Sequence, residues 1–169
     1  DGTLIVTNST GTHALDKVLR FTFGLNRPCL NVKFGGRTDF SLLREVLQLN
    51  GIPPNEENFQ TFTTAYRSQL PESLTQCGGS VLPGVLDLLQ RLKDHADIRC
   101  SIMTGNLTET ATQKLEHFGL LGFFDSVFGG DHDADRRHLA RRTALFLRGA
   151  YDHHSKDGTI VIGDTPADI

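Results

Sequence analysis

The stretch PGVLDLLQRLKDHADIRCSIMTGNLTETATQKLEHFGLLGFFDSVF, residues 83–128, carries the alternation that decides the fold. Pro83 suits the first turn of a helix, and Val85, Leu88, Leu89 and Leu92 recur at the spacing of one inward face. Residues 98–103 read as a short buried strand. Residues 107–118 read as a helix with Ala111, Leu115 and Phe118 aligned, and 124–128 as a further strand. Beyond them, 136–148 is helical with Leu139, Thr143 and Phe146 on one side. The β-branched run at 159–162 has the composition of a buried parallel strand. Helix and strand thus alternate three times, which predicts an α/β fold built on a doubly wound parallel sheet.

On the N-terminal side the pattern is helical throughout. Residues 12–23 place Leu15, Val18, Leu19 and Phe23 on one face, and 25–37 are loop-like around Pro28 and Gly35-Gly36. Thr38 and Asp39 can cap a helix bearing Leu42, Leu43, Val46 and Leu47, which Gly51 and Pro53 stop. A third helix is predicted over 55–69, and residues 76–80 form a joint rich in helix breakers. The segment 10–80 is therefore expected to be an insertion into the α/β core.

At 169 residues the chain fits one domain, or one core with a small insertion. A net charge of -3 supplies no positive field for a polyanion, so general nucleic-acid affinity is not expected. A small anionic substrate must find its counter-charge locally, in a metal or a few cations. No apolar run approaches the ~20 residues of a membrane span. Cys29, Cys77 and Cys100 are an odd number without metal-ligand spacing, which predicts no disulfide framework and a reducing, cytoplasmic compartment. His13, His132, His138, His153 and His154 carry no regular ligand spacing either, so no zinc site is expected.

The residues suited to chemistry lie just past predicted strands, where open parallel sheets form their ligand sites. Asp164 follows 159–162, and Asp168 lies four residues on. Phosphoryl transfer between anions needs charge neutralised, and Mg²⁺ held by one or two carboxylates does this. Thr104 follows 98–103. Its hydroxyl, with the backbone N–H groups of Gly105 and Asn106, can cradle a phosphate or cap the next helix, since both uses draw on the same unpaired N–H groups.

Asp1-Gly2-Thr3-Leu4, then Thr104, then Arg136, then Gly163-Asp164-Thr165-Pro166-Ala167-Asp168 resemble, in order, the signature motifs of the haloacid dehalogenase (HAD) superfamily. Phe34-Gly35-Gly36-Arg37-Thr38-Asp39, Val81-Leu82-Pro83-Gly84-Val85 and Lys114-Leu115-Glu116-His117-Phe118-Gly119-Leu120 look like phosphoglycolate-phosphatase-type members with a helical cap. The resemblance implies an incomplete Rossmann-like core at 1–9 and 81–169 with a cap at 10–80. It implies a phosphatase of a small phosphorylated metabolite, working through an aspartyl-phosphate. By the same resemblance Asp1 is general acid and base, Arg136 is the cation with Arg137 and Lys114 as alternatives, Arg37 faces substrate, and Asp1, Asp164 and Asp168 hold Mg²⁺. The attacking Asp would stand two positions ahead of Asp1. The chain is accordingly expected to be an excerpt that folds poorly and does not turn over by itself. A sugar-phosphate mutase of the β-phosphoglucomutase type, a carbon–halogen hydrolase and a non-catalytic relative are the competing readings.

Overall fold

The computed structural model describes residues 1–150 and 158–164. Its elements run β1 (Ile5–Val6), α1 (Thr10–Phe21), α2 (Asp39–Leu49), α3 (Glu56–Cys77), β2 (Ser80–Val81), α4 (Val85–Lys93), β3 (Ser101–Met103), α5 (Thr108–His117), β4 (Ser126–Phe128) and α6 (Arg136–Ala150). The three helices α1 to α3 bury one shared cluster. Ala14, Leu15, Val18 and Leu19 of α1 meet Leu43, Val46 and Leu47 of α2 and Phe62, Tyr66, Leu70 and Leu74 of α3. Each such side chain contributes roughly 1.5–3 kcal/mol on burial, so this packing, more than helix propensity, holds the unit together. Thr38 caps α2 by accepting from Ser41 N–H, and Asn55 caps α3 by accepting from Asn58 N–H. Leu107, from the α/β part, completes the same cluster and joins the two halves.

The α/β part is a β3–α5–β4 unit in which β3 and β4 pair in parallel, Ser101 with Ser126, Ile102 with Val127 and Met103 with Phe128. Thr104 N–H donates to Phe128 O (2.9 Å) and Asp125 N–H to Cys100 O (2.8 Å), extending the ladder at both ends. Ile5, Leu89, Leu115 and Leu120 form its own buried cluster. A second ladder joins the two passages between the halves: β1 and β2 pair antiparallel, Ile5 with Val81 and Val6 with Ser80. The chain thus crosses between the halves twice at one place.

Several elements differ from the sequence expectation. Helix α3 runs eight residues past 69, through Pro71, to Cys77. Proline lacks the N–H that would reach the carbonyl four residues back. That carbonyl belongs to Arg67, and Gln113 of α5 donates to it from Nε2 (3.2 Å), so a tertiary contact replaces the missing helical bond. On α4 only Leu89 of the four expected inward residues is fully buried, and Leu88 is exposed. Residues 159–162 are not a strand: Ile160, Val161 and Ile162 are exposed and pair with neither ladder. β-branched composition favours a pleated surface only where a neighbouring strand offers one, and these residues lie beside neither ladder.

Candidate active site

Three loops bring the polar residues together. Asp1 leads into the Gly2-Thr3 turn, residues 104–107 leave β3 for α5, and Asp164 arrives from the far end of the chain. Thr3 Oγ1 donates to Asp164 Oδ1 (2.6 Å), and the Asp164 carboxylate fills the space where a side chain on Gly2 would lie. Lys114 of α5 donates from Nζ to Asp1 Oδ2 (2.6 Å) and to Asn106 Oδ1 (2.9 Å). The residues from the two ends of the sequence are therefore neighbours.

Of the three candidate cations, Lys114 makes the direct contact with Asp1. It is not a solvated surface charge: its side chain is only 5% exposed. Burial pulls its pKa below the ordinary lysine range, and the Asp39 carboxylate opposes that shift. Arg136 opens α6 and lies within electrostatic range of Asp1. Arg137 is exposed, and its backbone N–H donates to Asp135 Oδ1.

Thr104 sits at the end of β3 with its Oγ1 accepting from Asn106 N–H (3.2 Å); this closes a local turn ahead of α5, which begins at Thr108, and is not a helix cap. Gly105 is buried, and a Cβ there would stand 2.0 Å from the carbonyl oxygen of Arg37. The close approach that Gly105 permits is therefore made by the segment leading into α2. Arg37 reaches the site through that carbonyl, while its guanidinium pairs with Glu45 (2.5 Å) and borders a 490 Å³ cavity shared with Asn31, Val32 and Lys33. A 340 Å³ cavity lies between Thr108, Asp131, His132, Asp133 and Arg142. Neither lining includes Asp1, Thr104 or Asp164. Asp168, His153 and His154 fall outside the described residues.

Three acidic residues outside the expected set anchor the segments beside the site. Asp39 is buried; its Oδ2 accepts from Leu107 N–H (3.0 Å) and its Oδ1 from Asn106 Nδ2 (3.4 Å), while its own N–H donates to Gly105 O (2.6 Å). Burial raises its pKa, with Lys114 and these donors pulling the other way. Asp131 caps α5 from 23 residues away, accepting from Thr108 N–H and hydroxyl. Asp133 takes two bonds from the Arg142 guanidinium, and its carbonyl accepts from Thr38 Oγ1 (2.7 Å). Thr38 and Asp39 carry two signals, a helix start and a place in the string at 34–39, but neither marks the Asp39 carboxylate as a partner of Asn106 and Leu107; Asp131 has no local signal.

A divalent cation is compatible with this donor set in one specific way. Among the described residues no group of three or more His, Cys, Asp or Glu forms a ready cage. Mg²⁺ does not need one, because it keeps several waters and takes one or two protein carboxylates. The Asp164 carboxylate, set against the Gly2-Thr3 turn, is one such group.

The sequence profile of the haloacid dehalogenase-like hydrolases matches residues 1–169, the whole chain. Solved structures of the same fold include a predicted phosphatase from Clostridium acetobutylicum at 24% identity and a TM-score of 0.60, matching 87% of this chain and 67% of that one. A predicted phosphoglycolate phosphatase from Haemophilus somnus is 19% identical with a TM-score of 0.62, over 89% of this chain and 68% of that one. CbbY from Rhodobacter sphaeroides, in complex with phosphate, is 19% identical with a TM-score of 0.59, over 89% and 69%. No curated protein matches in sequence. Among the described residues no helix is long and apolar enough to cross a membrane.

Proposed function

Since the chain belongs to the haloacid dehalogenase-like hydrolase family, we propose that it is a phosphatase of a small phosphorylated metabolite, with residues 10–80 as a helical cap over a core of 1–9 and 81–169. The observation that carries this reading is the meeting of Asp1, Lys114 and Asp164, from three distant parts of the sequence, beside the loop that leaves β3. Two carboxylates and a buried ammonium gathered at the end of a strand suit a site that manages anionic charge.

In this reading the attacking carboxylate stands two positions ahead of Asp1. Its oxygen forms a bond to phosphorus as the bond to the leaving oxygen breaks. Asp1 gives that oxygen a proton, then takes one from the water that hydrolyses the aspartyl-phosphate. Thr104 and the N–H groups of the following loop hold phosphoryl oxygens. Lys114 orients the Asp1 carboxylate, and Arg136 adds positive charge from the start of α6. Mg²⁺, held by Asp164, by the backbone carbonyl of Asp1 and by Asp168 further on, would supply neutralising charge at the phosphoryl group.

The test is phosphate release from a panel of phosphorylated metabolites, with Mg²⁺ and with EDTA, by the protein including the residues ahead of Asp1. Release that needs Mg²⁺, falls at least ~100-fold in Asp164→Asn and falls roughly 100- to 1,000-fold in Lys114→Met is the expected result. A folded protein that releases no phosphate from any of them refutes the reading. Isomerised sugar phosphate with little free phosphate assigns it to the mutases instead.

A further inference from the structure

Asp39 belongs to the helical segment, yet both oxygens of its carboxylate bond to the loop of the α/β part. We propose that Asp39 is a positioning residue: through Asn106 it holds Lys114 in place against Asp1, so that the helical segment sets the geometry of the reacting carboxylate. The proposal rests on the phosphatase reading for its consequence and on geometry for its cause.

The chain of contacts is short and each link has a fixed direction. Lys114 Nζ is a donor only, so the Asn106 atom it touches at 2.9 Å is the amide oxygen. The Asn106 amide nitrogen is thereby turned the other way, where it donates to Asp39 Oδ1. An ionised carboxylate accepts only, so the two ends of the Asn106 amide are sorted from both sides at once. Asp39 is itself pinned: its other oxygen takes Leu107 N–H, and its N–H is bonded to Gly105 O. The segment that carries it has no slack, because Gly105 lies against the Arg37 carbonyl and Thr38 is bonded to the Asp133 carbonyl. Lys114 then completes the line with its bond to Asp1 Oδ2.

A helix cap alone would not call for this arrangement. Thr38 already caps α2, and Asp39 is the first residue inside that helix, buried among polar groups that belong to another element. Placing a carboxylate there carries a desolvation penalty that a purely packing role would avoid with an apolar residue. What the carboxylate provides is an acceptor that dictates which face of Asn106 looks at Lys114.

The arrangement makes a specific exchange experiment possible. Asp39→Asn keeps its single acceptor on the closer donor, Leu107 N–H (3.0 Å against 3.4 Å for the Asn106 amide), and so turns an NH₂ toward the NH₂ of Asn106. To relieve that clash Asn106 must rotate, which presents its NH₂ to the Lys114 ammonium and removes the acceptor. Asn106→Asp sets two carboxylates side by side in a buried place. The double variant, Asp39→Asn with Asn106→Asp, restores every bond. The new amide at position 39 accepts from Leu107 N–H through its oxygen and donates through its NH₂ to the new carboxylate at position 106. The second oxygen of that carboxylate accepts from Lys114. The expected result, on the protein including the residues ahead of Asp1, is a kcat roughly 10- to 100-fold lower in each single variant, with KM little changed. The double variant should recover to within roughly fivefold of wild type. Recovery no better than the poorer single variant, or an unchanged kcat in Asp39→Asn, overturns the proposal.

A second readout works without turnover. The ¹⁵N resonance of the Lys114 ammonium should move in Asp39→Asn and return in the double variant, while circular dichroism confirms that each variant is folded. If wild type releases no phosphate but the resonance behaves as described, the phosphatase reading fails and the positioning of Lys114 by Asp39 stands. If phosphate is released and the resonance ignores Asp39, the reverse holds.

Discussion

Burying an isolated charge costs several kcal/mol, and the site contains two buried charges of opposite sign that do not touch. Asp39 and Lys114 are joined through Asn106, and burial shifts each toward its neutral form, Asp39 upward and Lys114 downward. The signs have measurable consequences. A carboxyl whose folded pKa is raised contributes stability that is fully present below its unfolded value, near 3.8, and is lost as pH rises through the folded value. The urea midpoint of wild type should therefore fall relative to that of Asp39→Asn as pH is raised above 3.8 toward neutrality. Parallel midpoints across that range would mean that Asp39 is charged as readily in the fold as in water. At this scale the sequence made Asp1 and Asp164 readable because each sits in a recognisable string. Lys114 ranked third among the cations, because nothing local distinguishes a lysine on a polar helix from one whose Nζ is buried. Asp39 stands at a helix start within a family-like string, and nothing local marks its partners Asn106 and Leu107, which lie 67 and 68 residues away.

Helices α1 and α2 follow their apolar spacing closely, and Ala14, Leu15, Val18, Leu19, Leu43, Val46 and Leu47 are all buried. Helix α3 does not follow the local rule, because its continuation past Pro71 depends on Gln113 of another helix. Local sequence cannot encode a bond whose donor lies 46 residues downstream. The two residues should consequently be coupled. Gln113→Leu leaves the Arg67 carbonyl without its donor and should destabilise by about 1–2 kcal/mol. In a Pro71→Ala background the restored backbone N–H serves that carbonyl, and the same substitution should cost about 1 kcal/mol less. A double-mutant cycle from urea denaturation measures the difference; strict additivity would show that the Gln113 contact is incidental. The run at 159–162 failed for the related reason that strand propensity is conditional on a free ladder edge, and residues 160–162 lie exposed beside none.

At the level of the molecule the two halves meet along the 104–107 loop and are tied at a double crossing. The crossing is tight on both strands. Asn8 and Ser9 adopt positive φ (45° and 65°), and Gly79 has φ 140° with the Val6 carbonyl only 2.2 Å from where a Cβ would stand. The sequence showed a breaker-rich joint at 76–80, but the pairing of β1 with β2 that shapes it is invisible to a single segment. Gly79→Ala combines a close contact with an unfavourable backbone, and should destabilise by about 1–3 kcal/mol; an unchanged urea midpoint would show that the crossing has room to spare. Cys77 sits at this junction, its carbonyl held by Asn8 Nδ2 (3.2 Å) and its sulfur 3.5 Å from His13 Nδ1. The half-buried Cys77 thiol therefore serves as a probe of the joint: a maleimide should alkylate it faster in Gly79→Ala than in wild type, because loosening the crossing withdraws the cover that His13 gives it.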